Sequence, residues 1–275
     1  MNIRFLIVIV LYKTKFHEST TITTLSKNIL PNSKLVIWDN GPIAVSDVDI
    51  AEIKKMFPVV EYQHTPENIS LAKIYNSVFR NNLQYDFFLI FDQDTTLTAD
   101  YFTKLQEAII QFPHINLFLP LIYNDNQIVS PGDFLIYKGK YWQEKHTGLV
   151  IAKNRLAVAS GMAIRMNYLE NIMNPFDERL KLYGIDSQFI LEYGKRNKYF
   201  YVLDYVLNHN LSAFTRESPY LKASRFIDHK HSLKTICRSK SVWSWIMVSI
   251  ILFITSVLLA IKLKRINVIF DIVIL

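Results

Sequence analysis

The chain has 275 residues, half of them hydrophobic, with 31 basic against 24 acidic side chains. This length suits one large domain with an appendage, and the single cysteine, Cys237, excludes an internal disulfide framework and fits a reducing compartment. The formal charge of +7 favours an anionic partner, such as a nucleotide, a lipid phosphate, a membrane surface or nucleic acid.

Apolar runs alternate with helical patterns over the first 120 residues. The run at 3–12 is short and lacks a small-residue cleavage site, so we expect a first strand there and not a secretory signal. Strands are also expected at 34–38, 59–62 and 86–92, and apolar residues at helical spacing predict helices after the first, third and fourth strands. This alternation is typical of a doubly wound, mostly parallel α/β sheet with flanking helices.

The middle of the chain changes character. Residues 123–148 are polar and turn-rich, which predicts loops and hairpins laid over the edge of the sheet. An apolar run resumes at 155–165, a helix is expected after Asp186, and a last short strand is expected at 199–203.

The C-terminal part is strongly apolar. Residues 243–261 include no charged side chain and are flanked by basic residues on both sides. We therefore predict a transmembrane helix at 242–262 after a globular domain (1–220) and a basic juxtamembrane linker (221–241). A short apolar tail (263–275) would follow. A buried core helix or an interfacial segment is the alternative.

Two carboxylates end the apolar run that precedes them. Asp92 and Asp94 follow a predicted buried strand, and ligands bind beyond the carboxyl ends of strands in open α/β sheets. Hard oxygen ligands of this kind suit Mg²⁺ or Mn²⁺ that also holds a substrate phosphate. Asp47 and Asp49 have the same spacing in a polar stretch, where we expect a solvated loop. A pair of turn acids before a capping threonine is the alternative for Asp92 and Asp94.

Several further motifs are spaced along the chain between about residues 5 and 215. In chain order the motifs are Ile7–Tyr12, Trp38–Gly41, Asn68–Asn76, Asp92–Asp94, Ser160–Met162, Phe176–Glu178 and Gly184–Asp186. Together they resemble those of the family 2 glycosyltransferases, which are inverting GT-A enzymes, and most of all bacterial rhamnosyltransferases of O-antigen and polysaccharide synthesis. Ser70 departs from the family pattern, which often has glycine, and Ile185 stands where many members have glutamate.

The resemblance implies a GT-A-like fold and a role for each matching residue. It implies that Asp94 is the principal metal ligand, with Asp92 as a ribose or metal-shell contact and His209 as a further ligand. The donor-binding residues would be Tyr12, Asp39, Asn68, Lys73 and Asp92. Asp186 would be the general base, with Asp177 and Glu178 as rivals. From the residues alone, Asp186 could instead be a helix N-cap and Asp39 could be a turn former.

The resemblance implies inverting transfer of a sugar, expected to be rhamnose from dTDP-rhamnose, to a polyprenyl-diphosphate-linked saccharide. The resemblance implies a divalent metal, Mg²⁺ or Mn²⁺, and a place at the bacterial inner membrane with the catalytic domain in the cytoplasm. Another nucleotide-diphosphate sugar, nucleotidyl transfer and a non-catalytic membrane-anchored binding protein are the alternatives. Nucleic-acid binding is not expected, because the basic residues cluster beside the apolar segment.

Overall fold

The computed structural model describes residues 3–135, 138–208, 230–238 and 241–263. The strands are β1 (Phe5–Leu11), β2 (Lys34–Asp39), β3 (Val60–His64), β4 (Phe87–Asp92), β5 (Leu117–Asn124), β6 (Gln127–Ser130), β7 (Gly132–Phe134), β8 (Gly139–Tyr141), β9 (Gly148–Ile151), β10 (Arg155–Leu156), β11 (Met162–Arg165) and β12 (Tyr199–Asn208). The helices are α1 (Thr20–Leu25), α2 (Asp47–Met56), α3 (Leu71–Arg80), α4 (Asp100–Gln111), α5 (Met166–Glu170), α6 (Ile185–Arg196), α7 (230–238) and α8 (Val242–Leu263).

The main sheet has the strand order β3-β2-β1-β4-β11-β5-β12-β9, with β6 paired to β5. The first four strands of the chain are parallel, as the sequence predicts. The second half is mixed, because β11 runs antiparallel to both β4 and β5. The expectation of a mostly parallel sheet is therefore wrong for this half. The chain enters β11 beside the carboxyl end of β4 and runs back, since Ser160 lies next to Asp92.

Helices cover both faces of the sheet. Because successive strand residues point to opposite faces, β1 contributes Leu6 and Val8 to one core and Phe5, Ile7 and Ile9 to the other. The first core also includes apolar residues of α3 and α6, whereas the second includes residues of α1, α2 and α4. This is the doubly wound arrangement that the sequence predicts.

The polar middle segment forms hairpins, as expected. Strands β10, β7 and β8 make a separate three-stranded antiparallel sheet. Strand β9 instead joins the edge of the main sheet beside β12.

The C-terminal helices pack on the domain. Part of the predicted linker is helical, since α7 spans 230–238. The helix predicted at 242–262 is present as α8, and Val248 and Leu252 belong to a hydrophobic cluster with Phe134 and Leu191. In the described ranges no helix is both long enough and apolar enough to cross a membrane. The transmembrane prediction therefore finds no support, and one face of α8 is covered by protein.

Candidate functional site

The carboxyl ends of three parallel strands meet at one edge of the sheet. Strand β1 lies between β2 and β4, with Leu11 opposite Asp39 and Val10 opposite Asp92. The ends that carry Asp39, Tyr12 and Asp92 are therefore neighbours, and the sequence motifs meet where ligands bind in α/β sheets.

Hydroxyl groups hold the loop that carries Asp92 and Asp94. The Thr21 hydroxyl donates to the Asp92 carbonyl, and the Ser19 hydroxyl donates to the Gln93 carbonyl at 2.6 Å. On the other side, the Asp92 N–H donates to Ser160 Oγ at 3.2 Å. These bonds fix the backbone of the loop, leaving Asp92 half-buried and Asp94 exposed at its tip.

Thr95 joins the two sides of this hydrogen-bond network. Its N–H donates to Thr21 Oγ1 at 2.7 Å, and its hydroxyl lies 2.6 Å from Ser160 Oγ. Sequence reasoning missed Ser19, Thr21 and Ser160 as supports of the loop. The hydroxyl-rich run at 19–24 is a signal for Ser19 and Thr21, and Ser160 belongs to the Ser160–Met162 motif.

Gln93 joins the carboxylate loop to the end of β1. Its side-chain Oε1 accepts from the Tyr12 N–H at 2.9 Å. Tyr12 itself is exposed, and the Lys13 ammonium lies 5.2 Å from the centre of its ring. An exposed aromatic and a cation thus stand beside the carboxylates.

Asp39 is the buried last residue of β2 and faces the turn that follows the strand. Its Oδ1 accepts from the Gly41 N–H at 3.0 Å, and its Oδ2 accepts from the Tyr62 hydroxyl at 2.9 Å. Burial is the main cause that raises the pKa of Tyr62 to about 12, so this hydroxyl stays protonated and can donate. Both oxygens of Asp39 therefore have partners within the protein, and this geometry favours the turn-forming interpretation.

Asn40 ties this turn to the loop before α3. Its Nδ2 donates to Asn68 Oδ1 at 3.1 Å, and its Oδ1 accepts from the Ile69 N–H at 3.0 Å. Asn68 has a φ of 49°, a left-handed conformation that asparagine tolerates better than most residues. Asn68 thus shapes the loop path, while Lys73 lies exposed on α3.

Helix α3 fixes the segment that includes Phe176–Glu178. Asn76 is buried, and its Nδ2 donates to the Phe176 carbonyl at 2.8 Å and to Glu178 Oε1 at 2.9 Å. The Asp177 carboxylate pairs with Arg179, whose hydrogen bond holds the pKa of Asp177 below its usual range. Asp177 and Glu178, the alternative candidates for the general base, therefore both have structural partners.

Asp186 lies in the first turn of α6. The N-cap is Gly184 in a left-handed conformation, so the interpretation of Asp186 as the N-cap is wrong. Burial raises the pKa of Asp186 above its usual range, although hydrogen bonds from the Ser187 and Ala159 backbone oppose this rise. A carboxylate with a raised pKa is a stronger base, which suits proton abstraction.

Asp92 and Asp186 approach the same buried side chain. Burial raises the pKa of Tyr75 well above its usual range, and the negative charges of Asp92 and Asp186 both add to the rise. Ala159 and Ser160 also lie between the two acids, because the Ala159 backbone lowers the pKa of Asp186 and Ser160 accepts from the Asp92 N–H. The motifs that the resemblance assigns to the donor and to the base therefore lie close together.

The site offers two carboxylates to a metal ion. Among the residues described, no group of three or more histidine, cysteine, aspartate or glutamate side chains is placed to hold a metal. Asp92 and Asp94 are hard oxygen ligands, which fit Mg²⁺ or Mn²⁺ if a bound diphosphate supplies further oxygens. His209, the other predicted ligand, lies outside the described residues.

Comparison of sequences gives no family. No protein-family model matches the chain, and no curated protein matches it.

Comparison of structures gives the fold. Residues 1–349 of TarS from S. aureus are 14% identical with a TM-score of 0.59, and the match covers 86% of this chain and 64% of that one. GalNAc-T7 bound to UDP, GalNAc and Mn²⁺ is 12% identical with a TM-score of 0.60, covering 85% and 47%. A mannosyltransferase from Pyrobaculum calidifontis bound to GDP-Man and Mn²⁺ is 13% identical with a TM-score of 0.53, covering 86% and 64%.

The chain spans less than two thirds of the length of these three proteins. They are GT-A fold glycosyltransferases. This chain has the same fold: a mixed α/β sheet of the GT-A type with flanking helices.

Proposed function

We propose that this protein is an inverting glycosyltransferase that uses a nucleotide-diphosphate sugar. One observation carries the proposal: the Asp92–Asp94 loop and Asp186 are joined through Ala159 and Ser160 at the strand ends of a GT-A-type sheet. The neighbours in structure, which include complexes with UDP-GlcNAc and with GDP-Man and Mn²⁺, support a nucleotide sugar as the donor.

The residues divide the chemistry between them. Asp94 and Asp92 would hold Mg²⁺ or Mn²⁺, which neutralises the charge that grows on the leaving diphosphate. Asp186 takes the proton of the acceptor hydroxyl while the hydroxyl oxygen forms a bond to the anomeric carbon of the donor sugar. The bond from that carbon to the diphosphate oxygen breaks on the opposite face, and the configuration inverts. Tyr12 and Lys13, exposed beside the loop, are suited to contact the nucleotide.

The finer assignment is also part of the proposal. Resemblance to bacterial rhamnosyltransferases supports rhamnose from dTDP-rhamnose as donor sugar and a role in O-antigen synthesis. The excess of basic residues near the C-terminus supports an anionic, polyprenyl-diphosphate-linked acceptor at the bacterial inner membrane, with the catalytic domain in the cytoplasm.

Paired substitutions separate the two roles. We expect Asp94→Asn to weaken Mn²⁺-dependent binding of dTDP or UDP by roughly tenfold or more, since loss of even a supporting partner weakens metal sites that much. Asp186→Asn should leave this binding intact but lower transfer by ~10² to 10⁴-fold, the contribution of a general base. Calorimetry measures the first, and product formation from a donor panel with a lipid-linked acceptor measures the second.

Asp49→Asn is the matched control, because Asp47 and Asp49 repeat the spacing at the exposed start of α2. It should change neither quantity. Wild-type transfer by both site variants would contradict the mechanism. Wild-type protein that binds no nucleotide with or without Mn²⁺ would instead favour the non-catalytic binding protein.

A further inference from the structure

Helix α8 has two distinct faces. Ser244, Val248, Leu252 and Ser256 recur every four residues and are buried. Val248 and Leu252 share a hydrophobic cluster with Ile236 and Cys237 of α7 and with Phe134 and Leu191 of the domain. The inward face of α8 therefore includes two serines and packs against protein.

The opposite face of α8 is apolar and exposed over four turns. Its exposed large side chains are Val242, Trp243, Ile246, Met247, Ile250, Phe253, Ile254 and Leu258. A helix on the surface of a water-soluble domain normally shows the reverse pattern, with polar residues outward. A contiguous apolar surface of this kind marks a protein or membrane contact.

The charges beside α8 point to one partner. No acidic residue occurs between Asp228 and Asp271. The basic residues in this interval are Lys230, Lys234, Arg238, Lys240, Lys262, Lys264 and Arg265. They stand on both sides of the exposed apolar face in the sequence, and Arg238 is exposed at the end of α7. Anionic lipid headgroups complement such a cluster, whereas a second copy of this chain would place like charges together.

We propose that α8 lies along an anionic lipid surface, with its exposed face in the boundary between headgroups and acyl chains. Trp243, 78% exposed near the start of the helix, suits this boundary. The inward face stays on the protein, so the helix lies flat in the surface as interfacial amphipathic helices do.

Helix α7 connects the proposed lipid-binding helix α8 to the proposed active site. A Cβ built on Gly184 would lie 2.9 Å from the Ser232 Cβ and 3.0 Å from Ile236 Cδ1, so α7 touches the residue that begins α6. One helix thus separates the lipid-bound helix from the turn that carries Asp186. The inference that a lipid-borne acceptor reaches Asp186 by this side rests on the proposed function.

Vesicle binding of the full chain tests the proposal without donor or acceptor. We expect sedimentation with phosphatidylcholine vesicles that contain phosphatidylglycerol, and weak binding to phosphatidylcholine alone. High salt should weaken the binding, by about fivefold for each basic residue whose attraction is screened. Ile250→Glu together with Phe253→Glu should lower the partition coefficient by tenfold or more.

Ile110→Glu is the matched control, because Ile110 on α4 is 59% exposed and Ile250 is 54% exposed. It should bind vesicles like the wild type, and equal melting temperatures would show that all variants fold. Undiminished binding by the double variant, or wild-type protein left in the supernatant, would overturn the proposal. So would a dimer that the double substitution dissociates, or resistance to alkaline carbonate extraction. Vesicle binding without sugar transfer would count against the proposed function alone.

Discussion

At the scale of single residues, the environment of each acid sets what it can do. Asp94 is exposed, Asp39 accepts from Gly41 of its own turn and from Tyr62 of β3, and Asp177 is paired with Arg179. Asp186 differs from Asp177, because burial raises the pKa of Asp186 whereas the bond to Arg179 lowers the pKa of Asp177. The acid best prepared to accept a proton is therefore also the one whose ionisation costs stability.

We expect Asp186→Asn to raise the melting temperature near neutral pH. The pKa of Asp186 is higher in the folded than in the unfolded chain, so the penalty for ionisation is absent below the unfolded pKa of ~3.9. It becomes complete as pH rises through the raised pKa. The gain in the variant should therefore shrink as pH falls, which thermal melts across a pH series would show.

Asp177→Asn provides a control of opposite sign. The pKa of Asp177 is lowered by Arg179, so its ionised form adds stability that is present above the unfolded pKa and lost as pH falls. This variant should melt slightly lower near neutral pH. If both variants changed the melting temperature in the same direction, the assignment of the two environments would be wrong.

Sequence alone could place Asp92 and Asp94, because the strand before them is a strong signal. It could not place Asp186, since the interpretation as base or cap depends on where α6 begins. That point is set by the left-handed backbone of Gly184, two residues earlier. Likewise, no pattern reveals that the oxygens of Asp39 are taken by Gly41 and Tyr62.

At the scale of elements, α3 connects the two halves of the site. Its residue Asn76 bonds both the Phe176 backbone and Glu178, about a hundred positions later in the chain. This single side chain therefore positions the segment that leads to α6.

Asn76→Ala should lower the free energy of unfolding by about 2–4 kcal/mol. It removes hydrogen bonds to buried partners and leaves the Phe176 N–H and carbonyl without them. Ser77→Ala, on the next position of the same helix, should change stability by less than ~0.5 kcal/mol. Urea unfolding followed by circular dichroism measures both. Equal losses of stability in the two variants would show that the substitutions disturbed helix α3 itself and not the hydrogen bonds of Asn76.

The four strands up to residue 92 match their predicted bounds closely. β1, β2 and β4 are mainly apolar runs, whereas β3 includes Glu61, Gln63 and His64. The direction of β11 could not be predicted, since an apolar pattern is the same when read in either direction. β12 extends to Asn208, beyond the predicted end at 203. The charged residue Asp204 interrupts the apolar run, but its side chain is exposed and the strand continues.

At the scale of the whole molecule, helix α7 packs against the domain at a glycine. Gly184 has a φ of +79° and leaves space that Ser232 and Ile236 of α7 occupy. The sequence predicts the apolar segment of α8 correctly, but its composition does not reveal which face the protein covers.

Gly184→Ala should loosen α7 from the domain. A non-glycine residue in this conformation costs about 1 kcal/mol, and contact with α7 should add about 1–3 kcal/mol of overpacking. Gly148→Ala is the control, because Gly148 also has a positive φ of +87° but no atom within 4 Å of the added Cβ. Hydrogen exchange at 230–238 should accelerate only in the Gly184 variant. Similar exchange in both variants would count against the contact.

The small sheet of β10, β7 and β8 can change in sequence without affecting the main sheet. Its three strands pair only with one another among the described residues, and β8 is exposed along its whole length. Substitutions there leave the registers of β1, β2 and β4 untouched, and with them the edge that carries Asp92. We expect related chains to diversify in this small sheet while they retain the edge that carries Asp92.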